Sequence, residues 1–385
     1  IRQISGGHRN QTMSIETLEI VSPGMLTSVQ DLGRRGYQRF GIPTSGAMDA
    51  PALRVANILV GNREGAAGLE ATVMGPTIRF LADTTIALTG ADLGASLDGV
   101  SVPVWQSVHV PAGGSLSFQG PNDGIRGYIA VAGGIDVPVL MGSRSTYLKG
   151  AFGGYEGRAL AAGDVLKTLP SPIAHGSTGE NLPFELTPAN YGHNHLLRVV
   201  FGPQDDAFLP EAIETLTASE YDIGAQSDRM GYRLEGPALK HTTGADIISD
   251  ATTLGSVQVP GDGNPIVLLA DRGTTGGYTK IATVIGPDLS FLVQAMPGDK
   301  VRFSPVSFDE ARSILLEQES FISDIKKAVG LDNSGLFTLA ADGDVHEVTT
   351  DENERITGVP AEIRETKTVS ATAAGFDFEI EVRYR

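Results

Sequence analysis

The sequence contains no cysteine, which excludes disulfides, thiolate nucleophiles and cysteine-built zinc sites. It is also short of positive charge, with 29 Lys and Arg against 46 Asp and Glu and a formal net charge of −17. An acidic surface of this kind repels phosphate backbones and anionic headgroups, so neither nucleic acid nor a membrane is expected as a partner. No apolar run approaches the ~20 residues that a membrane-spanning helix requires. The opening IRQISGGHRNQT is polar and lacks the apolar stretch of a signal peptide. A cytoplasmic protein fits all of these absences.

Several catalytic signatures are missing too. GTTGGYTK at 273–280 does not have the G-x-x-x-x-G-K-[ST] spacing of a P-loop, and no dinucleotide-type glycine pattern opens a helix after a strand. The serines of GGSLSF (113–118) and GSRST (142–146) have no His or Lys base in a recognisable arrangement. No lysine sits in a Met-Lys-Met setting, so the chain itself is not expected to carry biotin. His193 and His195 are spaced to share a strand face but lack a carboxylate pair, and no metal site is assigned to them. His109 and His241 read as core or surface residues.

What the chain has in excess is glycine, 48 of 385 residues against a usual ~7%. With 41% hydrophobic residues, this predicts a globular, turn-rich, mainly β protein, long enough for two or three domains. Residues 15–21, IETLEIV, alternate as a half-buried strand should. Residues 50–60 read as a helix, with Asp49 at the N-cap, Pro51 in the first turn and Gly61 after the last apolar position. From 71 to 169 the pattern becomes short strands between turns: TIRFLA, TIALTG, ASLDGVSV, VHVPAG, SLSFQG and RGYIAVAG. One unit, a tight turn followed by an alternating strand, recurs as PAGGSLSF (111–118), AAGDVLKTL (161–169) and MPGDKVRF (296–303). Two copies in the first half and one closing the second suggest two β-barrels of similar construction.

A Pro-, Gly-, Ser- and Asn-rich stretch at 171–194 reads as the linker between them. Beyond it LLRVVFG, SVQVP, NPIVLLA and KIATVIG are expected strands, and FLPEAIETLTA is helix-like. Residues 307–329 have helical spacing, with Phe308, Ala311, Ile314, Leu315, Phe321 and Ile325 available for one face against the second barrel. In the tail, GLFTLAAD and FDFEIEVRYR look like strands around an acidic, turn-rich segment, with no assigned role.

Two stretches carry the chemistry. The first is 27–49, TSVQDLGRRGYQRFGIPTSGAMD, which sets Asp31, Arg34, Ser45 and Asp49 among four glycines and a proline. It has too few apolar side chains for ordinary core, while glycines let the backbone turn tightly and approach a ligand. The alternative is a long connection whose polar groups satisfy one another. The second is 258–278, where NPIVLLA should be a central buried strand running into Asp271-Arg272 and the turn GTTGGY. Charges just after a buried strand sit at a sheet edge or barrel mouth, and Gly276-Gly277 could present backbone N–H groups to an anion. The alternative is an Asp–Arg pair pinning a turn. Arg34, Arg126, Arg144, Arg229 and Arg272 could gather around carboxylate or phosphate groups, with two or three of the five expected in structural ion pairs.

The 27–49 stretch, with AN-x-LVGN (56–62), LE-x-T (69–72), ALTGAD (87–92), RGYIAVAGGIDVP (126–138) and MGSRST (141–146), resembles one family throughout. In the second half FGPQDDAF, SDRMGYRL, VQVPGDGNPIVLLADRGTTGGY and QAMPGD continue the resemblance to about residue 306. It is the family of the 5-oxoprolinase C subunit, allophanate hydrolase subunit 2 and part of the urea carboxylase carboxyltransferase domain. The resemblance implies two cyclophilin-like β-barrels and partner subunits A and B, with B the direct contact. It also implies ATP-dependent opening of 5-oxo-L-proline to L-glutamate. Ring opening of a stable lactam needs carbonyl activation, and phosphorylation of the amide oxygen by ATP is a chemically sensible route.

Asp31, Arg34, Asp271 and Arg272 are the expected catalytic residues, either aspartate positioning water or a magnesium ion. Ser45, Asp49, Arg126, Arg144, Gln258, Gly276 and Gly277 are expected to bind substrate. ATP is expected at a site shared with or held by the partners. The organisation follows: 1–14 leader, 15–170 first barrel, 171–194 linker, 195–306 second barrel, 307–330 helix and 331–385 extension. Two other readings stay open. One is the carboxyltransferase component of a biotin-dependent urea or amide carboxylase, with biotin on a partner. The other is a non-catalytic module that sequesters a kinase-inhibitor-like partner.

Overall fold

The computed structural model describes residues 14–171, 186 and 190–331, and the tail at 337–341, 344–350, 356–357, 365–373 and 376–384 as strands. The expected leader and most of the expected linker lie outside the described residues. The chain divides into two compact units, Ile1–Gly330 and Leu331–Arg385.

In the first half of the larger unit, two antiparallel sheets face each other over one core. One sheet runs, in spatial order, Val165–Thr168, Ile15–Ser22, Thr77–Phe80, Ser115–Phe118, Ala95–Leu97 and Val100–Ser101. The other runs Leu26–Gln30, Gly68–Thr72, Asp123–Val131, Thr84–Asp92 and Gln106–Val110. Period-two alternation decides what each strand contributes inward: Leu18 and Ile20, Ile78 and Phe80, Ile86 and Leu88, Ile129 and Val131. The second half closes on itself. Asn194–Phe201, Lys300–Pro305, Tyr221–Ile223, Gly231–Glu235, Ile266–Leu268, Ser256–Val259 and Thr275–Val284 pair in that order, and the last pairs back to the first. This is a closed seven-stranded barrel, filled by Leu197, Val199, Tyr221, Tyr232, Val257, Val267, Ile281 and Phe303. An eighth strand, Asp246–Ala251, pairs only with the opening of Thr275–Val284 and overhangs the ring.

The recurring turn–strand unit has a common geometry. The Asp164 carboxylate accepts from the N–H of Ala161 at 2.7 Å, and Asp299 accepts from Met296 at 2.8 Å. Each aspartate thus closes its own turn three residues back before the chain enters a strand. The copy at 111–118 has Gly114 there, closed by backbone alone.

Among the described residues, four α-helices cover the sheets. Helix α1 (Ala50–Leu59) starts at Asp49, whose side chain accepts from the N–H of Ala52 at 3.2 Å. It lies against the five-stranded sheet, where the Thr89 hydroxyl donates to the Ala52 carbonyl. Helix α2 (Pro210–Ala218) lies on the barrel, and α3 (Leu289–Gln294) reaches from the barrel to the strand Asp123–Val131. Helix α4 (Phe308–Ala328) begins with a capping box from Ser307 and Glu310. Of its side chains only Ile322 and Ile325 are buried, and Phe308, Leu315 and Phe321 stay exposed. The expected apolar face is thus used only in part: Ile325 is buried and the helix touches the barrel strand Asn194–Phe201, while Arg54 with Glu319 and Lys326 with Glu64 tie it to α1 and the loop after it.

In the smaller unit, Phe337–Ala341, Asp344–Thr350 and Ile356–Thr357 form one antiparallel sheet, and Glu365–Ala373 pairs with Phe376–Tyr384 as a hairpin. Both expected tail strands are present. The acidic segment between them contributes a strand as well, because DVHEVTT is rich in β-branched residues in spite of its charge. Among the described residues no helix is long and apolar enough to cross a membrane.

Candidate functional site

The residues singled out from sequence fall into three groups. In the first, the strand Leu26–Gln30 delivers Asp31 beneath the loop 143–146. Its buried carboxylate accepts from the hydroxyls of Ser143 (2.7 Å) and Ser145 and from the backbone N–H of Gly33 (2.8 Å) and Arg144. Three of these donors converge on Oδ1 and one on Oδ2, so Asp31 pins two loops together. Arg144 reaches outward, to the Val137 carbonyl at 3.0 Å and Asp136 at 3.5 Å.

Arg34 is wholly buried, with its guanidinium 4.9 Å above the Phe152 ring and one Nη2–H donated to the Ser145 carbonyl. Its Nε and Nη1 have no protein partner, and burial lowers its pKa against the attraction of Asp31 and Asp271. Glycine is required at 153 because a Cβ there would sit 2.6 Å from Arg34 Nη2 and closer still to the Ser145 carbonyl. Ser45 adopts φ 53°, and its N–H donates to the Ala270 carbonyl at 3.1 Å, tying the loop to the barrel turn.

The second group joins the two halves. Asp271 forms a two-point contact with Arg229, Nε to Oδ2 at 2.9 Å and Nη2 to Oδ1 at 3.3 Å. Arg229 also contacts Glu70 and donates to the Gly46 carbonyl at 2.6 Å. Glu70 in turn accepts from the Tyr128 hydroxyl and the N–H of Met48, both at 2.8 Å. All of these charges are buried, and the flanking carboxylates raise the pKa of Arg229 despite desolvation.

Beside them Arg126 donates to the Tyr232 hydroxyl at 2.5 Å and to the Val293 carbonyl. Asp49 takes hydrogen bonds from Ser290 (2.9 Å) and Gln294 (3.0 Å) of α3, and burial raises its pKa. Glu70, Tyr128, Tyr232 and Gln294 were not among the expected site residues. The available signal was a lone Glu in the otherwise uncharged strand GLEAT.

The third group lines a cleft of about 470 Å³ on the barrel. Gln258, Arg272 and Gly276 meet there with Asp228, Met230, Arg233 and Tyr278. The expected six-residue turn is shorter, because the strand already begins at Thr275. Gly276 and Gly277 therefore lie in a strand paired with Asp246–Ala251, which is not the turn geometry that converges N–H groups on an anion. Arg272 donates to the Leu269 carbonyl at 3.2 Å and weakly to that of Thr252 at 3.5 Å, and burial alone lowers its pKa. Asp271 and Arg272 thus do not share one site.

Elsewhere, His193 Nδ1 lies 2.7 Å and His195 Nε2 3.6 Å from the Asp299 carboxylate. No group of three or more His, Asp or Glu able to hold a metal occurs among the described residues.

Residues 40–305 match the carboxyltransferase domain, subdomain A and B. The chain is 40% identical to the C subunit of 5-oxoprolinase from Escherichia coli over 308 residues, covering 80% of this chain and 97% of that protein. It is 37% identical to urea amidolyase of Saccharomyces cerevisiae over 324 residues, covering 80% of this chain but 18% of that much longer protein. Among solved structures, urea amidolyase of K. lactis superposes with a TM-score of 0.75 at 30% identity, over 89% of this chain and 22% of that one. The chain therefore belongs to the carboxyltransferase-domain family, subdomain A and B, that includes the C subunit of 5-oxoprolinase.

Proposed function

We propose that this chain is the C-type component of an ATP-dependent 5-oxoprolinase, opening 5-oxo-L-proline to L-glutamate together with subunits A and B. The observation that carries the reading is one of span: the likeness takes in 97% of a 5-oxoprolinase C subunit but only 18% of a urea amidolyase. A counterpart of the same extent supports a counterpart role. At 273–278 no glycine-rich cradle of converging N–H groups is built, which favours ATP at a site shared with or held by the partners. This chain contributes binding and orientation. The pinned loops hold the two halves rigidly, and the barrel cleft supplies a half-buried guanidinium and a carboxamide.

The test is reconstitution. ATP-dependent glutamate release from 5-oxoproline is measured for A, B and this chain, separately and combined. Turnover is expected only in the combination. Robust turnover by this chain alone, or none with all three, overturns the reading.

The likeness to urea amidolyase over most of this chain favours a second reading, carboxyl transfer from a biotinylated partner to urea or a related amide. It predicts loss of carboxybiotin on addition of urea in the same preparation. Stable binding to the B component with neither activity would favour the sequestering module.

A further inference from the structure

Among the described residues, eight arginines are buried or half-buried, and five of them have a carboxylate within 4.0 Å. Arg34, Arg126 and Arg272 do not. The first two are sealed in packed interior, where backbone carbonyls and aromatic rings take the place of an anion. Arg272 alone of the three opens onto a cleft, and its Nη2 has no hydrogen-bond partner among the described residues.

Strand alternation builds that cleft on the outer wall of the barrel. Tyr232, Leu234, Val257, Val259, Val267 and Leu269 point into the barrel core. Their neighbours Arg233, Gln258, Ile266 and Leu268 must therefore face outward, beneath the overhanging pair formed by Asp246–Ala251 and the start of Thr275–Val284. Ile266 and Leu268 form an apolar floor between polar ends. At one end stands Arg272. The Gln258 carboxamide makes one weak bond, Nε2 to the Tyr278 carbonyl at 3.4 Å, and its oxygen has no partner among the described residues. Glycine at 276 makes room for that carboxamide, because a Cβ there would lie 2.5 Å from Gln258 Nε2. Arg233 and Arg272 against Asp228 leave the lining net positive in a chain of net charge −17.

We propose that this cleft binds a small carboxylate that also carries an amide or lactam N–H. The carboxylate lies on the Arg272 guanidinium, the N–H donates to the Gln258 carbonyl oxygen, and the body rests on Ile266 and Leu268. A guanidinium with a free edge matches a carboxylate in plane and charge, and its partial desolvation strengthens the pairing. An unpaired carboxamide oxygen at the edge of a half-enclosed cleft favours a ligand that supplies a donor. A volume of about 470 Å³ is ample for a molecule of this size. The inference deepens the 5-oxoprolinase reading and rests on it only for the choice of one probe.

The test is calorimetric binding to the full chain of 5-oxo-L-proline, N-acetylglycine and the neutral lactam pyrrolidin-2-one, with KM for 5-oxoproline measured in the reconstituted complex. At least one of the two carboxylates is expected to bind, and the neutral lactam at least ~10-fold more weakly. Arg272→Ala should weaken binding, or raise KM, by about ten- to a hundredfold, and Arg272→Lys should fall between. Gly276→Ala should weaken binding by displacing Gln258, and Arg312→Ala, exposed on α4, should change nothing.

The proposal is overturned if the neutral lactam binds as well as the carboxylates, or if Arg272→Ala leaves both affinity and KM unchanged. If Arg272→Ala abolishes N-acetylglycine binding while the complex fails to turn over 5-oxoproline, the cleft stands and the assigned reaction falls. Normal turnover with unchanged KM in Arg272→Ala does the reverse.

Discussion

Asp271 and Arg272 are neighbours in the chain, yet the first is buried against Arg229 at the junction of the two halves and the second faces the outer cleft. The junction is a closed set of charges: Glu70 and Asp271 hold Arg229, and Tyr128 and the N–H of Met48 complete Glu70. The cleft is open, with a guanidinium and a carboxamide whose hydrogen-bonding capacity is left over. Charged residues in a glycine-rich turn can therefore be scaffold or site, and the side chain's direction decides which. Completed networks fix geometry, whereas uncompleted ones are available to a ligand.

The contrast can be broken most forcefully at Arg229. Arg229→Ala would leave Glu70 and Asp271 buried without their cation, and a loss of about 3–5 kcal/mol is expected in denaturant unfolding. A loss under ~1 kcal/mol would show that the network relaxes or admits water. Next comes Asp31→Ala, which orphans four donors between two loops. It should cost about 2–3 kcal/mol and lower the melting temperature. Normal melting with lost turnover in the complex would instead make Asp31 a reacting group.

The third prediction concerns pH. Burial holds the His195 imidazole below its ordinary value of 6.5, although Asp299 opposes the shift. The unfolded chain therefore takes up this proton first. The corresponding stability is complete above about 6.5 and is lost as pH falls through the lower folded value. His195→Gln should flatten the melting-temperature profile between neutral pH and about pH 5, by less than ~1.4 kcal/mol per pH unit. An unchanged slope would remove His195 as a contributor. The smallest expected effect is on stability in Arg272→Ala. A half-buried cation bound to two carbonyls should cost under ~1 kcal/mol, so any loss of binding reads as function.

Much of the fold was legible. The helix after Asp49 follows from an N-cap, a first-turn proline and a closing glycine, all local signals. The turn–strand unit was visible as PAGG, AAGD and MPGD because each closes a tight turn three residues back, by an aspartate in the last two and by backbone alone in the first. Helix α4 was legible in extent but not in packing, since Phe308 and Leu315 satisfy a helical stripe and yet face solvent. Of the candidate site, the sequence grouped Asp31 with Arg34, which the structure brings together on Ser145, but it also grouped Asp271 with Arg272 by adjacency, and those two face different surroundings. Tyr128 and Tyr232 went unnoticed because a tyrosine in an apolar strand reads as core until its hydroxyl partner is known.

By itself the sequence determined a cysteine-free, acidic, mainly β chain of this family, because composition, turn chemistry and period-two patterning are local properties. The tertiary structure decided which charges are consumed and which are left over. Arg229 finds Glu70 across 159 residues of chain and Arg34 finds the Ser145 carbonyl across 111, and no local pattern encodes such pairings. Arg272 is left without a carboxylate for the same reason: a guanidinium is free only when every other part of the fold has failed to bring it a partner.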